Sequence, residues 1–323
     1  MNTPYQRPER AERCLLSVPA TSPRFFAKAI ASAADTIMLD LEDAVAPDNK
    51  PQGRLDAIAA INGHDWGSHN LMVRINDLST PWWLKDLTEV VAQCPRLDLV
   101  MVPKIESPQE VQAIELILSG IERATGRKPV GIEILIESAA GVAHAEAIAA
   151  SSTRLESISF GPGDYAASIG NRSKVVGGPD PDYTVLSYPD ESGSRSTHMN
   201  DVWQYPLSRI ATACRASGVR ALDGVYVDFN DPDGYNAAAR RAAALGCEGK
   251  WAIHPSQIEL ANAVFGPTED EIAWATKLLD LMEKAHAEGA GAVKLDGQMI
   301  DMAHVRQARR IKAQADVIAG RTG

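Results

Sequence analysis

The stretch that most constrains the fold is VGIEILIESAAG, residues 130–141. Val130 to Ile136 has the apolar density of a strand buried on both faces, as in a parallel sheet covered by helices. Glu137 stands where that strand should end, and residues 138–141 open an alanine-rich helical segment. The unit then recurs, with a strand from Leu155 to Phe160 and Asp164 just past it in GPGD. In alternating β/α proteins, the groups that meet a substrate gather beyond the carboxyl ends of the strands. Glu137 and Asp164, at neighbouring strand ends, can therefore share a hard cation such as Mg2+, which prefers oxygen ligands. The plainer alternative is that both acids only cap helices or pair with arginines.

Working from the amino end, Cys14 to Val18 supplies a first strand, followed by a short helix containing Phe25, Phe26, Ala29 and Ile30 with Thr21 or Ser22 as its cap. Asp35 to Leu41 is the second strand and carries Glu42 and Asp43 at its far end. Asp40 is a weaker candidate, because the pleat turns it opposite to Leu39 and Leu41. Leu71 to Ile75 brings Arg74 and Asn76 to a third strand end, where an arginine can hold a carboxylate through two parallel donors. Leu99 to Val102 is the fourth strand, ending in VPK before a helix started by Ser107, Pro108 and Glu110. After the strands ending at Glu137 and Phe160, residues 170–200 lose all helical period. They read as a substrate-facing excursion rather than a passive turn, with Arg195 and His198 as weak candidates. A helix from Tyr205 to Ser217, a strand over 221–227, the AAARRAAAL helix and a last strand in GKWAIHPSQ complete about eight units. That count, with no GxGxxG loop after the first strand, favours a closed (β/α)8 TIM barrel over an open dinucleotide-binding sheet.

Residues 1–264 are read as the barrel with its amino-terminal surface arm, and 265–323 as a C-terminal helical extension. In the extension, Thr268 and Glu271 form a capping-box signal, and Ile272, Ala275, Leu278, Leu279 and Met282 trace an amphipathic helix. Gly289, Gly291 and the Asp296–Gly297 pair break it before a final helix over roughly 302–318. By spacing alone, Asp296 is a turn residue.

The formal charge of -10 leaves no electrostatic footprint for nucleic acid. Cys14, Cys94, Cys214 and Cys247 are far apart and lack zinc or disulfide spacing, so they read as buried thiols. The polar amino end lacks the apolar core of a secretory signal, and no apolar run reaches the roughly 18 residues of a membrane span. A soluble cytoplasmic protein without membrane partners is the expectation.

The segments LDLEDAVAPDNK (39–50), VRIN (73–76), VPK (102–104), IESAAG (136–141), FGPGDYAAS (160–168), KWAIHPSQ (250–257) and LDGQMID (295–301) cover nearly the whole chain. Through them the chain resembles the HpcH/HpaI aldolase and citrate lyase beta-subunit superfamily, and within it the malyl-CoA and beta-methylmalyl-CoA lyases. The resemblance implies a (β/α)8 barrel that cleaves L-malyl-CoA reversibly to acetyl-CoA and glyoxylate, and beta-methylmalyl-CoA to propionyl-CoA and glyoxylate. It implies Mg2+, or Mn2+ in its place, on Glu137 and Asp164, with Glu42 and Asp43 behind them. Arg74 would hold the keto-acid carboxylate, and Asp296 would act as acid/base, supplied across a subunit boundary in a homotrimer or homohexamer. The CoA thioester would be substrate, not resident cofactor. Citramalyl-CoA cleavage and malyl-CoA thioester hydrolysis are the enzymatic alternatives, and a noncatalytic assembly subunit is the remote one.

Overall fold

The computed structural model describes residues 5–172, 174–287, 293–295 and 297–322. Eight parallel strands close into a barrel. In chain order, its first six strands are β1 (Cys14–Pro19), β2 (Thr36–Asp40), β3 (Asn70–Arg74), β4 (Leu99–Val102), β5 (Gly131–Ile136) and β6 (Leu155–Phe160). An excursion then carries the short antiparallel pair β7 (Thr184–Leu186) and β8 (Thr197–Met199), before β9 (Arg220–Asp223) and β10 (Gly249–Ala252) complete the ring. Strand β10 pairs with β1, which closes the sheet and leaves the barrel no free edge. The (β/α)8 reading of the sequence therefore holds.

Helices pack outside and one alternate set of strand residues points inward. Leu15, Met38, Met72, Leu99, Met101, Leu135 and Trp251 form a single buried cluster. Their registers place Asp40 of β2 opposite Arg74 of β3, in the same inward phase as Met38 and Met72. The apolar filling is interrupted by polar groups that satisfy one another. Glu133 accepts from the Ser157 hydroxyl at 2.7 Å and the Ser159 hydroxyl at 2.6 Å, and Ser159 in turn accepts from the Trp251 indole at 2.9 Å. Burial first, then the charge of Glu12, drives the Glu133 carboxyl well above the usual carboxylate range.

Two local expectations need correction. Ser22 makes no capping hydrogen bond, and the segment it precedes is a 3-10 turn (Pro23–Phe25) leading into a five-residue helix (Phe26–Ile30). The strand expected over 221–227 stops at Asp223, where the Asp223 carboxylate takes the Gly224 N–H at 3.0 Å and Lys250 draws Gly224 O to its ammonium at 2.8 Å. Those bonds replace the ladder, so the chain leaves the barrel there. By contrast, the helix over 108–125 starts as expected, with Ser107 N–H donating to Glu110 Oε2 at 2.8 Å.

The chain divides into two compact units, one running to Pro8 and over Glu12–Asn262, the other comprising Glu9–Ala11 and the residues from Ala263 on. In the second, helices Glu269–Ala287 and Met302–Thr322 and the hairpin of β11 (Val293–Leu295) and β12 (Gln298–Ile300) bury Ala275, Leu278, Met282, Leu295, Ile300, Val305 and Ala308 together. Thr268 and Glu271 cap the first of these helices reciprocally. All four cysteines are free and buried. Among the described residues, no helix is long and apolar enough to cross a membrane.

Arg220 ties the amino-terminal end of the barrel, reaching Glu12 at 2.9 Å and Glu156 at 3.1 Å with both acids buried. Removing one partner of such a buried group leaves uncompensated charge, at a cost of about 3–5 kcal/mol. R220M should lose stability on that scale in urea unfolding; a loss under about 1 kcal/mol would contradict this role.

Candidate active site

The carboxyl ends of β2 to β6 bring five acids and two cations to one mouth. Asp40, the last residue of β2, is 2 % exposed and holds the Arg74 guanidinium as a fork, Nε to Oδ1 at 2.8 Å and Nη2 to Oδ2 at 2.6 Å. Asp40 Oδ1 also accepts the Glu42 N–H at 2.8 Å, which bends the chain as it leaves the strand. Lys50, from the following helix, reaches back to Leu41 O at 2.9 Å and Glu42 O at 2.5 Å and fixes the same bend. Asp40 and Lys50 thus set the direction of the Glu42 side chain.

Glu42 lies between two cations. Its Oε2 is 2.6 Å from Arg74 Nη1, yet that oxygen is buried without a well-formed hydrogen bond, while Oε1 accepts from Lys104 Nζ at 2.8 Å. Asp43 is mostly exposed and meets Arg74 Nη1 at 3.2 Å. Every edge of Arg74 therefore faces a carboxylate, and the Trp251 ring lies 5.6 Å from its centre. Burial opposes the Arg74 charge, but Asp40, Glu42 and Asp43 outweigh it and hold the guanidinium above its ordinary pKa.

Lys104 follows β4 in VPK and has φ 54, the only positive φ at a non-glycine position among the described residues. That conformation costs about 1–2 kcal/mol for an ordinary side chain. It turns the Lys104 N–H onto Glu137 Oε1 at 3.0 Å. The same residue's ammonium bonds Glu42 and stands 4.0 Å from Asp164 Oδ2. Burial opposes its charge; the Glu42 hydrogen bond and the attraction of Glu42, Asp164 and Glu137 more than reverse this, raising the ammonium above its usual range.

Glu137, one residue past β5, is 5 % exposed. It caps nothing, since the next helix is capped by the Ser138 hydroxyl accepting from Gly141 N. Asp164, in the first turn of the helix Pro162–Ser168, is half exposed and acts on the neighbouring Glu137 carboxyl through its charge. Burial, followed by the charges of Glu42 and Asp164, pushes Glu137 up to about 9. A buried carboxylate beside a second acid is stabilised when the two share a cation. A divalent ion fits this pair: Mg2+ is commonly held by one or two carboxylates, with waters and substrate oxygens filling the remaining positions. Among the described residues, no three His, Cys, Asp or Glu side chains gather into a fuller metal cage.

Glu42, Asp43, Arg74, Glu137 and Asp164 are therefore together, joined by Asp40, a weaker candidate in the sequence, and by Lys104, to which the sequence reading gave no role. Asp40 had a signal, because a side opposite to helix-facing leucines is the interior once the sheet closes. Lys104 ends a strand just as Glu137 does, but nothing in VPK announces its backbone conformation. His198 lies on the exposed hairpin strand β8, its Nε2 3.1 Å from the Ser196 hydroxyl. Asp296 lies outside the described residues.

Buried acids and cations at the carboxyl ends of the strands stand where the active sites of (β/α)8 barrel enzymes lie. Residues 13–255 match the HpcH/HpaI aldolase/citrate lyase family, and the chain belongs to that family. It is 46 % identical over 314 residues, 97 % of either chain, to the L-malyl-CoA/beta-methylmalyl-CoA lyase of Cereibacter sphaeroides. It is 36 % identical to the malyl-CoA/beta-methylmalyl-CoA/citramalyl-CoA lyase of Chloroflexus aurantiacus, over 90 % of this chain and 83 % of that one. Among solved structures, the CitE protein of Mycobacterium tuberculosis in complex with magnesium, acetoacetate and coenzyme A is similar at 30 % identity and a TM-score of 0.69, covering 95 % of this chain and 98 % of that one.

Gly161 supplies a test of the acid pair. A Cβ there would lie 2.5 Å from both Cβ and Oε2 of Glu137, although the backbone (φ -97) accepts any residue. G161A should fold, as read by circular dichroism, while displacing Glu137 and lowering turnover by about 100-fold, the scale of an ångström-sized misplacement. Unchanged turnover would remove Glu137 from the working site.

Proposed function

We propose that this protein cleaves L-malyl-CoA reversibly to acetyl-CoA and glyoxylate, and beta-methylmalyl-CoA to propionyl-CoA and glyoxylate. The carrying observation is the Glu137–Asp164 pair beside Arg74 and Lys104, in a chain 46 % identical across nearly its full length to lyases of those two thioesters. Glu137 and Asp164 would hold Mg2+, or Mn2+. When bound, the ion polarises the keto-acid carbonyl and offsets alkoxide charge.

Arg74 anchors the glyoxylate carboxylate. Asp40 occupies its Nε–Nη2 edge, so the donor that turns to substrate is Nη1, now shared by Glu42 and the exposed Asp43. Asp43 is free to swing into solvent when a substrate carboxylate arrives, while the Asp40 fork keeps the guanidinium plane fixed. The Trp251 ring, 5.6 Å from the guanidinium centre, adds a cation–π contact.

In the condensation direction a base removes the alpha proton of the acyl-CoA, and Asp296 is assigned that role. The assignment rests on LDGQMID and places the base in the extension of residues 265–323. Delivery from a neighbouring subunit in a homotrimer or homohexamer belongs to the same proposal.

The test incubates purified protein and Mg2+ with each pairing of glyoxylate or pyruvate with acetyl-CoA or propionyl-CoA, identifying products by mass. Malyl-CoA and beta-methylmalyl-CoA are expected, and D296N in the same panel should bind Mg2+ yet form little of either. Condensation with pyruvate alone would replace this reading by citramalyl-CoA cleavage. Malyl-CoA turned over to free malate and CoA, with no carbon-carbon cleavage, would replace it by thioester hydrolysis.

A further inference from the structure

We propose that Lys104 is a positioning residue that holds Glu42 away from the Glu137–Asp164 cation site, so that the bound cation keeps only two protein carboxylates and leaves its remaining positions to substrate and water. This rests on the reading of Glu137 and Asp164 as the cation ligands.

Lys104 links a third carboxylate, Glu42, to the Glu137–Asp164 pair. Glu42 is 4 % exposed, and its Oε2 is 2.6 Å from Arg74 Nη1 without a well-formed hydrogen bond. Lys104 holds the other oxygen, Oε1, at 2.8 Å. The lysine is also anchored to the cation site through its backbone N–H on Glu137 and its ammonium 4.0 Å from Asp164. One residue thus touches all three acids, and its left-handed backbone allows the N–H and the ammonium to serve different carboxylates.

A third carboxylate would tighten the hold on a dication by adding an anionic ligand, but would take a position the substrate needs. The Lys104 ammonium opposes this by pairing with Glu42.

Lys104→Asn isolates the ammonium, because asparagine tolerates the left-handed backbone and can keep the N–H on Glu137. Mn2+ serves as the probe, with its affinity read by electron paramagnetic resonance and its coordinated waters counted by water-proton relaxation. K104N should bind Mn2+ about tenfold more tightly, with about one fewer coordinated water, and turn over more slowly. K104N/E42Q should regain the lost water and much of the parental affinity, because the amide is a poorer ligand; a merely structural role for Lys104 would not be reversed by a second substitution. Equal or weaker Mn2+ binding by K104N, or tight binding that survives E42Q, would overturn the proposal. A parental protein that binds no Mn2+ would overturn the cation-site reading itself, and the proposal with it.

Discussion

The constraint on which the site depends is charge crowding. Asp40, Glu42, Asp43, Glu137 and Asp164 gather at one end of a closed barrel, with Arg74 and Lys104 bonded into the group. Removing carboxylates from water is costly unless each is paired or neutralised. Arg74 settles Asp40 and part of Glu42, and Lys104 settles the rest of Glu42. Glu137 and Asp164 are left against each other, with one backbone N–H and a lysine 4.0 Å away as partial compensation. The imbalance makes the mouth receptive to a divalent cation, and it is local rather than a reflection of overall acidity.

Strand phase produces this crowding. Inward residues of neighbouring strands fall into register, so Asp40 opposite Arg74 follows from the same pairing that stacks Met38 on Met72. Lower in the barrel those positions are apolar or, like Glu133 with its two serines, closed on themselves. Only above the last ladder bonds do side chains face one another without filling the core. A precise site on the ends of rigid strands needs little reorganisation when substrate binds, which is the main source of electrostatic catalysis in such enzymes.

Much of this was legible in the residues. Each barrel strand is a short apolar run, and the acids and Arg74 lie at or just past strand ends, so their convergence followed once the units were counted. The ion-pair network was harder to read. The pleat argument against Asp40 treated the side away from Leu39 and Leu41 as unfavourable, whereas closure makes that side the interior. Lys104 depends on a backbone angle that a lysine does not signal. The strand over 221–227 was drawn too long because Val225 and Val227 continue the apolar pattern, while hydrogen bonds from Lys250 and within Asp223–Gly224 end the ladder. Partners distant in sequence decide these points, and a local pattern cannot contain them.

The central claim, that Glu137 and Asp164 form a two-carboxylate cation site beside a lysine-held Glu42, can be examined directly by anomalous scattering from a crystal grown with Mn2+. One peak should lie within about 2.0–2.3 Å of a carboxylate oxygen from each of Glu137 and Asp164, with Glu42 still bonded to Lys104. A map with no peak at that pair, or with the ion bound at other acids, would contradict it.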